Sequence, residues 1–231
     1  MRRGRAKRLS LIGLCACLAL LFAGLGVWQI ERLAWKRDLI ARVDARLAAP
    51  AVELGSGNAW PEYTKVRATG RFDHPRETLV DALTERGKGY WVLTPLVTAD
   101  RTVLINRGFV PSELAKASAR QQGQVPGEVA ITGLVRLTEP NGRFLRANQP
   151  SADRWFSRDV QAIAAARSLR NVAPFFIDAD ASAYPGGFPI GGLTVVSFRN
   201  AHLVYALTWF GLAALCLFGL VLTFRTTHNE G

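Results

Sequence analysis

Two uncharged stretches of 22 residues, 9–30 and 203–224, stand near the ends of the chain and leave a polar segment of 172 residues, 31–202, between them. As a helix each stretch rises about 33 Å, enough for a hydrocarbon core about 30 Å thick. The pattern predicts two transmembrane helices, N- and C-terminal, flanking one domain. A cleaved signal peptide competes for the first stretch, because Arg2, Arg3, Arg5, Lys7 and Arg8 form a basic start and Ala23-Gly24 supplies small residues. Signal cores run only about 7–15 apolar residues, so the longer run reads as a retained helix. A mitochondrial transit peptide is disfavoured because no Ser-rich amphipathic stretch precedes Leu9.

Basic residues near the first span do not orient it, since five precede it and Arg32, Lys36, Arg37, Arg42 and Arg46 follow. Long loops cross largely regardless of charge, which favours an exported central domain and cytoplasmic termini. The expected layout is a cytoplasmic tail 1–8, a span 9–30, a helical stalk and linker 31–59, an exported domain 60–200, a second span 201–224 and a tail 225–231. The stalk reading rests on Leu33, Leu39, Ile40, Val43 and Leu47 at near-helical spacing, and Pro50 with Gly55-Ser56-Gly57 breaks it.

The net charge of +11 owes five units to the tail 1–8, and the rest is scattered. It reads as a solvated or headgroup-facing surface, and nucleic acid is not an expected partner. Cys15, Cys17 and Cys216 all lie in the apolar stretches, so the central segment can form neither a disulfide nor a thiolate metal site. Copper transfer lacks its sulfur because Met1 is the only methionine.

From Tyr63 onward apolar residues mostly alternate. Val129, Ile131, Gly133, Val135 and Leu137 line one strand face, and Val103, Ile105, Arg107 and Phe109 another. Further strands are expected at 66–72, 77–83, 90–97, 175–178 and 193–199, and one helix at 159–169 with Asp159 as N-cap. The expected fold is thus two transmembrane helices flanking a β-rich α+β domain, its antiparallel sheet curled into a small barrel or sandwich. No nucleophile elbow, Walker loop, zincin helix or haem-attachment motif is present, and Asp73-His74-Pro75 reads as a turn. The sequence gives no ground to expect an enzyme or a catalytic residue.

One helix face carries chemistry. His202, Tyr205, Ala206 and Trp209 fall at i, i+3, i+4 and i+7, so they share a side of the second span near its outer end. An imidazole with aromatic walls can contact a porphyrin or ligate its iron; the alternative is an interfacial aromatic belt.

The chain resembles the Surfeit locus protein 1 family of cytochrome c oxidase assembly factors over nearly its whole length. The resemblance is carried in order by Gly26-x-Trp28-Gln29-x-x-Arg32-x-x-Trp35-Lys36, Gly70-x-Phe72, Gly89-Tyr90 with Thr94-Pro95-Leu96, and Leu104-Ile105-Asn106-Arg107-Gly108-Phe109-Val110-Pro111. It continues through Gly133-x-x-Arg136-x-x-Glu139, Asn148-x-Pro150, Trp155-x-x-Arg158-Asp159 and Asn200-x-His202-Leu203-x-Tyr205-Ala206-x-Thr208-Trp209. Phe109 stands where the family pattern has Trp, keeping the aromatic body without the indole donor.

The resemblance implies a multi-pass protein of the bacterial inner membrane, its domain on the periplasmic side. It implies a chaperone role in respiratory-chain biogenesis, helping to build the haem–copper oxidase by binding haem a at the outer membrane interface. His202 is the expected iron ligand or hydrogen-bond partner of the haem, with Tyr205 and Trp209 against the macrocycle and Arg199 or Arg32 for the propionates, and no other metal is expected. The expected partners are the lipid bilayer, oxidase subunit I and its haem-synthesis or assembly machinery. A cofactor-free scaffold holding an oxidase assembly intermediate is the competing function.

Overall fold

The computed structural model describes residues 2–57 and 59–228. The chain divides into two compact units, Met1–Val43 with Ser197–Gly231, and Asp44–Val196.

The first unit is helical. α1 (Arg2–Ala48) runs unbroken through the apolar stretch and the charged heptads beyond it, and stops two residues before Pro50, whose ring disfavours helical backbone in the preceding residue. The second long helix, α3 (His202–His228), begins at the histidine. Each contains a segment long and apolar enough to cross a membrane, within Arg8–Ala48 and His202–Arg225.

The second unit contains a seven-stranded sheet closed on itself. Its strands are β1 (Val52–Glu53), β2 (Lys65–Phe72), β3 (Thr78–Thr84), β4 (Gly87–Val97), β5 (Thr102–Pro111), β6 (Glu128–Leu137) and β7 (Val172–Ala179). β2, β6, β7, β5 and β4 form the ring, which closes where Arg71 and Phe72 of β2 meet Val97 and Leu96 of β4; β1 and β3 attach outside it. Five strands cannot alternate in direction all the way round, so one neighbouring pair must run parallel. That pair is β5–β7, with Ile105 opposite Ile177 and Asn106 opposite Asp178. The expected barrel is present, but its wholly antiparallel character is corrected on this point, and the short β1–β2 pairing is parallel as well.

Alternation fills the barrel. Val66, Ala68 and Phe72 of β2, Val103 and Ile105 of β5, Ile131 and Val135 of β6, and Phe175 and Ile177 of β7 share one buried core. A second core lies on the outer wall, where Leu93, Leu104 and Phe176 meet Trp155 and the α2 residues Val160 and Ile163. β5 is consequently buried on both faces. α2 (Val160–Ala166) is shorter than the helix expected over 159–169, and the Asp159 side chain caps it by accepting from Ala162 N at 3.1 Å.

Two further expectations are corrected. Residues 193–199 alternate like a strand but form none; the chain there is held by single bonds, Gly192 N to the Ala179 carbonyl and Thr194 Oγ1 to Asp178, both 3.0 Å, rather than by a ladder. Just before this stretch Ile190 makes an isolated bridge to Phe109, while Val195 is exposed. Leu137, expected on the inner face of β6, is more than half exposed at the strand's end.

Candidate functional site

Within the helical unit, α1 and α3 meet along small and aromatic residues. Ala19, Gly26, Ala206 and Ala213 are buried. The Phe210 ring lies against Gly26 so closely that a Cβ there would fall 2.6 Å from Cε1, and the missing side chain is what permits the approach. Phe22 stacks on Trp209 with ring centroids 5.7 Å apart and planes 23° from parallel. About two turns beyond Phe22 on α1, Gln29 Oε1 lies 2.8 Å from Nδ1 of His202.

That hydrogen bond fixes the imidazole. An amide oxygen only accepts, so His202 donates from Nδ1, and the basic lone pair is left on Nε2. His202 is half-buried, and Gln29 is buried in an otherwise apolar stretch of helix. The alanine at i+4 and the tryptophan at i+7 place His202, Ala206 and Trp209 on the stripe facing α1.

The other residues singled out from the sequence are less concentrated. Tyr205 is 55 % exposed, outside the packed stripe. The Arg32 guanidinium lies 3.9 Å from the centre of the Trp35 ring, and Arg199 is exposed just before α3. Gln29 was not among the candidate ligand-site residues. Its sequence signal is a lone amide in an apolar helix, a placement usually retained for a partner. Among the described residues no group of three or more His, Cys, Asp and Glu side chains is arranged to hold a metal ion.

In the barrel, the sequence motifs converge on Asp178. Its carboxylate accepts from Asn106 Nδ2 at 2.7 Å, Arg136 Nη1 at 2.9 Å, Thr194 Oγ1 at 3.0 Å and Arg158 Nη1 at 3.2 Å. Arg136 also reaches Glu62, and Arg158 pairs with Glu139. Burial alone would raise the Glu139 carboxyl, but the hydrogen bonds and charge of Arg158 outweigh it and hold the group below the usual carboxylate range. Each arginine sits between two carboxylates, which marks a tie between β5, β6, β7 and the 138–158 segment rather than an open reactive site.

Arg107 lies on β5 beside Gly108. It is fully buried, donates to the carbonyl of Gly123, and lies between the rings of Phe72 and Tyr184, 4.8 and 4.4 Å from their centres. Burial lowers its guanidinium pKa and raises the Tyr184 phenol. Gly108 beside it has φ +123°, and a Cβ there would overlap the Ile190 carbonyl, so the backbone at this turn demands glycine.

A cleft of about 1110 Å³ on the barrel is lined by His74, Asp81, Tyr90, Arg146, Trp155 and Arg167, among others. The His74 ring donates from Nε2 to the carbonyl of Val125 at 3.0 Å. No Ser, Thr or Cys side chain is hydrogen-bonded to this ring among the described residues.

The SURF1 family model matches residues 16–214, which take in the barrel and part of each long helix. The chain is 40 % identical over 213 residues to Surfeit locus protein 1 of Mus musculus, covering 83 % of this chain and 68 % of that protein. The Homo sapiens protein of the same name is also 40 % identical over 213 residues, with 83 % and 70 % covered. A SURF1-like protein of Monosiga brevicollis is 38 % identical over 211 residues, with 84 % and 80 % covered. With the motifs carried in order through helix, barrel and helix, the chain belongs to the SURF1 family.

Proposed function

We propose that this protein is an assembly factor for haem–copper cytochrome c oxidase that holds haem a at the outer end of the α1–α3 pair and passes it to the catalytic subunit. The observation that carries this reading is the Gln29–His202 hydrogen bond. It presents one imidazole, its Nδ1 engaged by Gln29 and its Nε2 left to bind, in a half-buried position on the stripe that carries Trp209. Such a donor suits an iron already enclosed by a porphyrin, which needs one axial nitrogen and no ligand cluster.

His202 supplies that nitrogen, and Gln29 holds its ring and tautomer. Tyr205, exposed one turn along, offers an aromatic flank, while Trp209 braces the stripe against Phe22. Arg199 and Arg32 are cations for carboxylates at the membrane surface, Arg32 after leaving the Trp35 ring. A single imidazole on a two-helix surface grips weakly enough to release its cargo, which a carrier requires. In this reading α1 and α3 span the bacterial inner membrane with both termini cytoplasmic, and the barrel is periplasmic.

The test is the visible spectrum of the chain purified in detergent from a host that makes haem a. A Soret band that disappears in His202→Ala supports the carrier. Colourless protein under every haem supply favours the second reading, a cofactor-free scaffold for an oxidase subunit, to which the size of the barrel cleft lends support.

A further inference from the structure

The most exposed large apolar side chains among the described residues stand together in the barrel unit: Phe144 at 91 % and Leu145 at 88 %. They do not lie on a slack loop. Arg143 and Arg146 exchange backbone hydrogen bonds in both directions at 2.9 Å, closing a two-residue hairpin with Phe144 and Leu145 at its tip. Leu145 sits at φ +63° and Gly142 at φ +97°, and a Cβ on Gly142 would collide with the Arg146 carbonyl. The hairpin's base is pinned by Asn148, whose Oδ1 accepts from Phe156 N at 2.8 Å and Ser157 N at 3.1 Å, and by Ser157 Oγ, which accepts from Gly142 N at 3.0 Å. A left-handed leucine and a built hydrogen-bonded base are thus committed to holding two apolar side chains in water, an arrangement that calls for an occupant.

We infer that this hairpin is a wedge that enters the headgroup region of an anionic lipid surface. The tip, whose Leu145 also borders the barrel cleft, offers on the order of 300 Å² of apolar side chain, against about 800 Å² per partner in a standard protein interface. Lipid closes around a small protrusion without needing a complementary pocket. The charge pattern fits the same occupant. Arg143 and Arg146 flank the tip in sequence, and Arg146 and Arg154 both lie over the Phe156 ring at its base, 5.6 and 5.8 Å from the centre. Arginines surrounding an apolar tip match phosphate oxygens around an acyl boundary. The inference rests on the reading that α1 and α3 hold the chain in a bilayer, and it is independent of haem.

The test is spin-label power saturation on the full chain in nanodiscs, with oxygen and a water-soluble nickel chelate as relaxants. Single cysteines replace Phe144, Glu113 and Leu215 in turn, in a background lacking Cys15, Cys17 and Cys216. The label at 215 reports whether α3 lies in lipid, and the label at 113 is the aqueous reference. In phosphatidylglycerol discs the 144 label is expected to favour oxygen as the 215 label does. Adding Arg143→Gln and Arg146→Gln is expected to shift the inserted-to-withdrawn ratio by about thirtyfold. A 144 label as open to nickel as the 113 label, with 215 in lipid, overturns the wedge while leaving the spans intact. Nickel access at both 144 and 215 overturns the spanning reading and the wedge together. A 144 label shielded only when oxidase subunit I is added overturns lipid in favour of a protein partner.

Discussion

Replacing Asp178 by Asn removes one charge and turns one acceptor into a donor at the point where four donors converge. With its NH2 group toward Arg158 and Asn106 the amide loses one charge-assisted and one neutral hydrogen bond; toward Arg136 and Thr194 it loses the arginine's bond while the Thr194 hydroxyl can turn to accept. Removing one partner of a buried pair typically costs about 3–5 kcal/mol. Here Arg136 and Arg158 are 17 % and 14 % exposed and keep Glu62 and Glu139 as second partners, which places the expected loss near the lower end, about 3 kcal/mol. The assay is urea unfolding of the detergent-solubilised chain followed by the fluorescence of the barrel residues Trp91 and Trp155. The midpoint should fall with little change in slope. A loss under about 1 kcal/mol would falsify the view that Asp178 ties the barrel wall together.

Three other perturbations test the same account. Burial holds the His74 imidazole below its ordinary value of 6.5, outweighing the bond to Val125. The unfolded chain therefore binds more protons, and barrel stability should be full above about pH 6.5 and decline as pH falls below it; His74→Gln should flatten the unfolding midpoint between pH 7.5 and 5.5. Gly108→Ala must place a Cβ on the Ile190 carbonyl at φ +123°, and should cost more than about 3 kcal/mol or abolish soluble expression, with a near-wild-type melting curve counting against the register assigned to β5. Ile163→Ala empties a fully buried position between α2 and the barrel wall and should cost about 3 kcal/mol in the same urea assay; a shift within error would mean that α2 is not packed as described.

The strands and long helices were legible where one physical rule acted alone. Alternation located β2 and β6 because each shows one face to a core, and the apolar stretches located α1 and α3 by length. Legibility failed where closure decided the outcome. Nothing local to Phe176 or Leu104 says that β7 runs parallel to β5; the odd strand count of the ring imposes it. Residues 193–199 carry a strand pattern, yet single hydrogen bonds and not a ladder hold that stretch. In the helix pair, i, i+3, i+4 and i+7 spacing grouped His202, Tyr205, Ala206 and Trp209, but a helix face is broad, and contact with α1 divides it into a packed stripe and an exposed Tyr205. The partnership of Gln29 with His202, 173 positions apart, is a tertiary fact that no spacing rule reaches.

Titrating purified apo-protein in nanodiscs with haem a bears most directly on the proposed carrier. The account predicts saturable binding with a shifted Soret band, lost in His202→Ala and weakened by about tenfold in Gln29→Leu through loss of ring positioning. Equal affinity and an unchanged spectrum across wild type and both variants would contradict it.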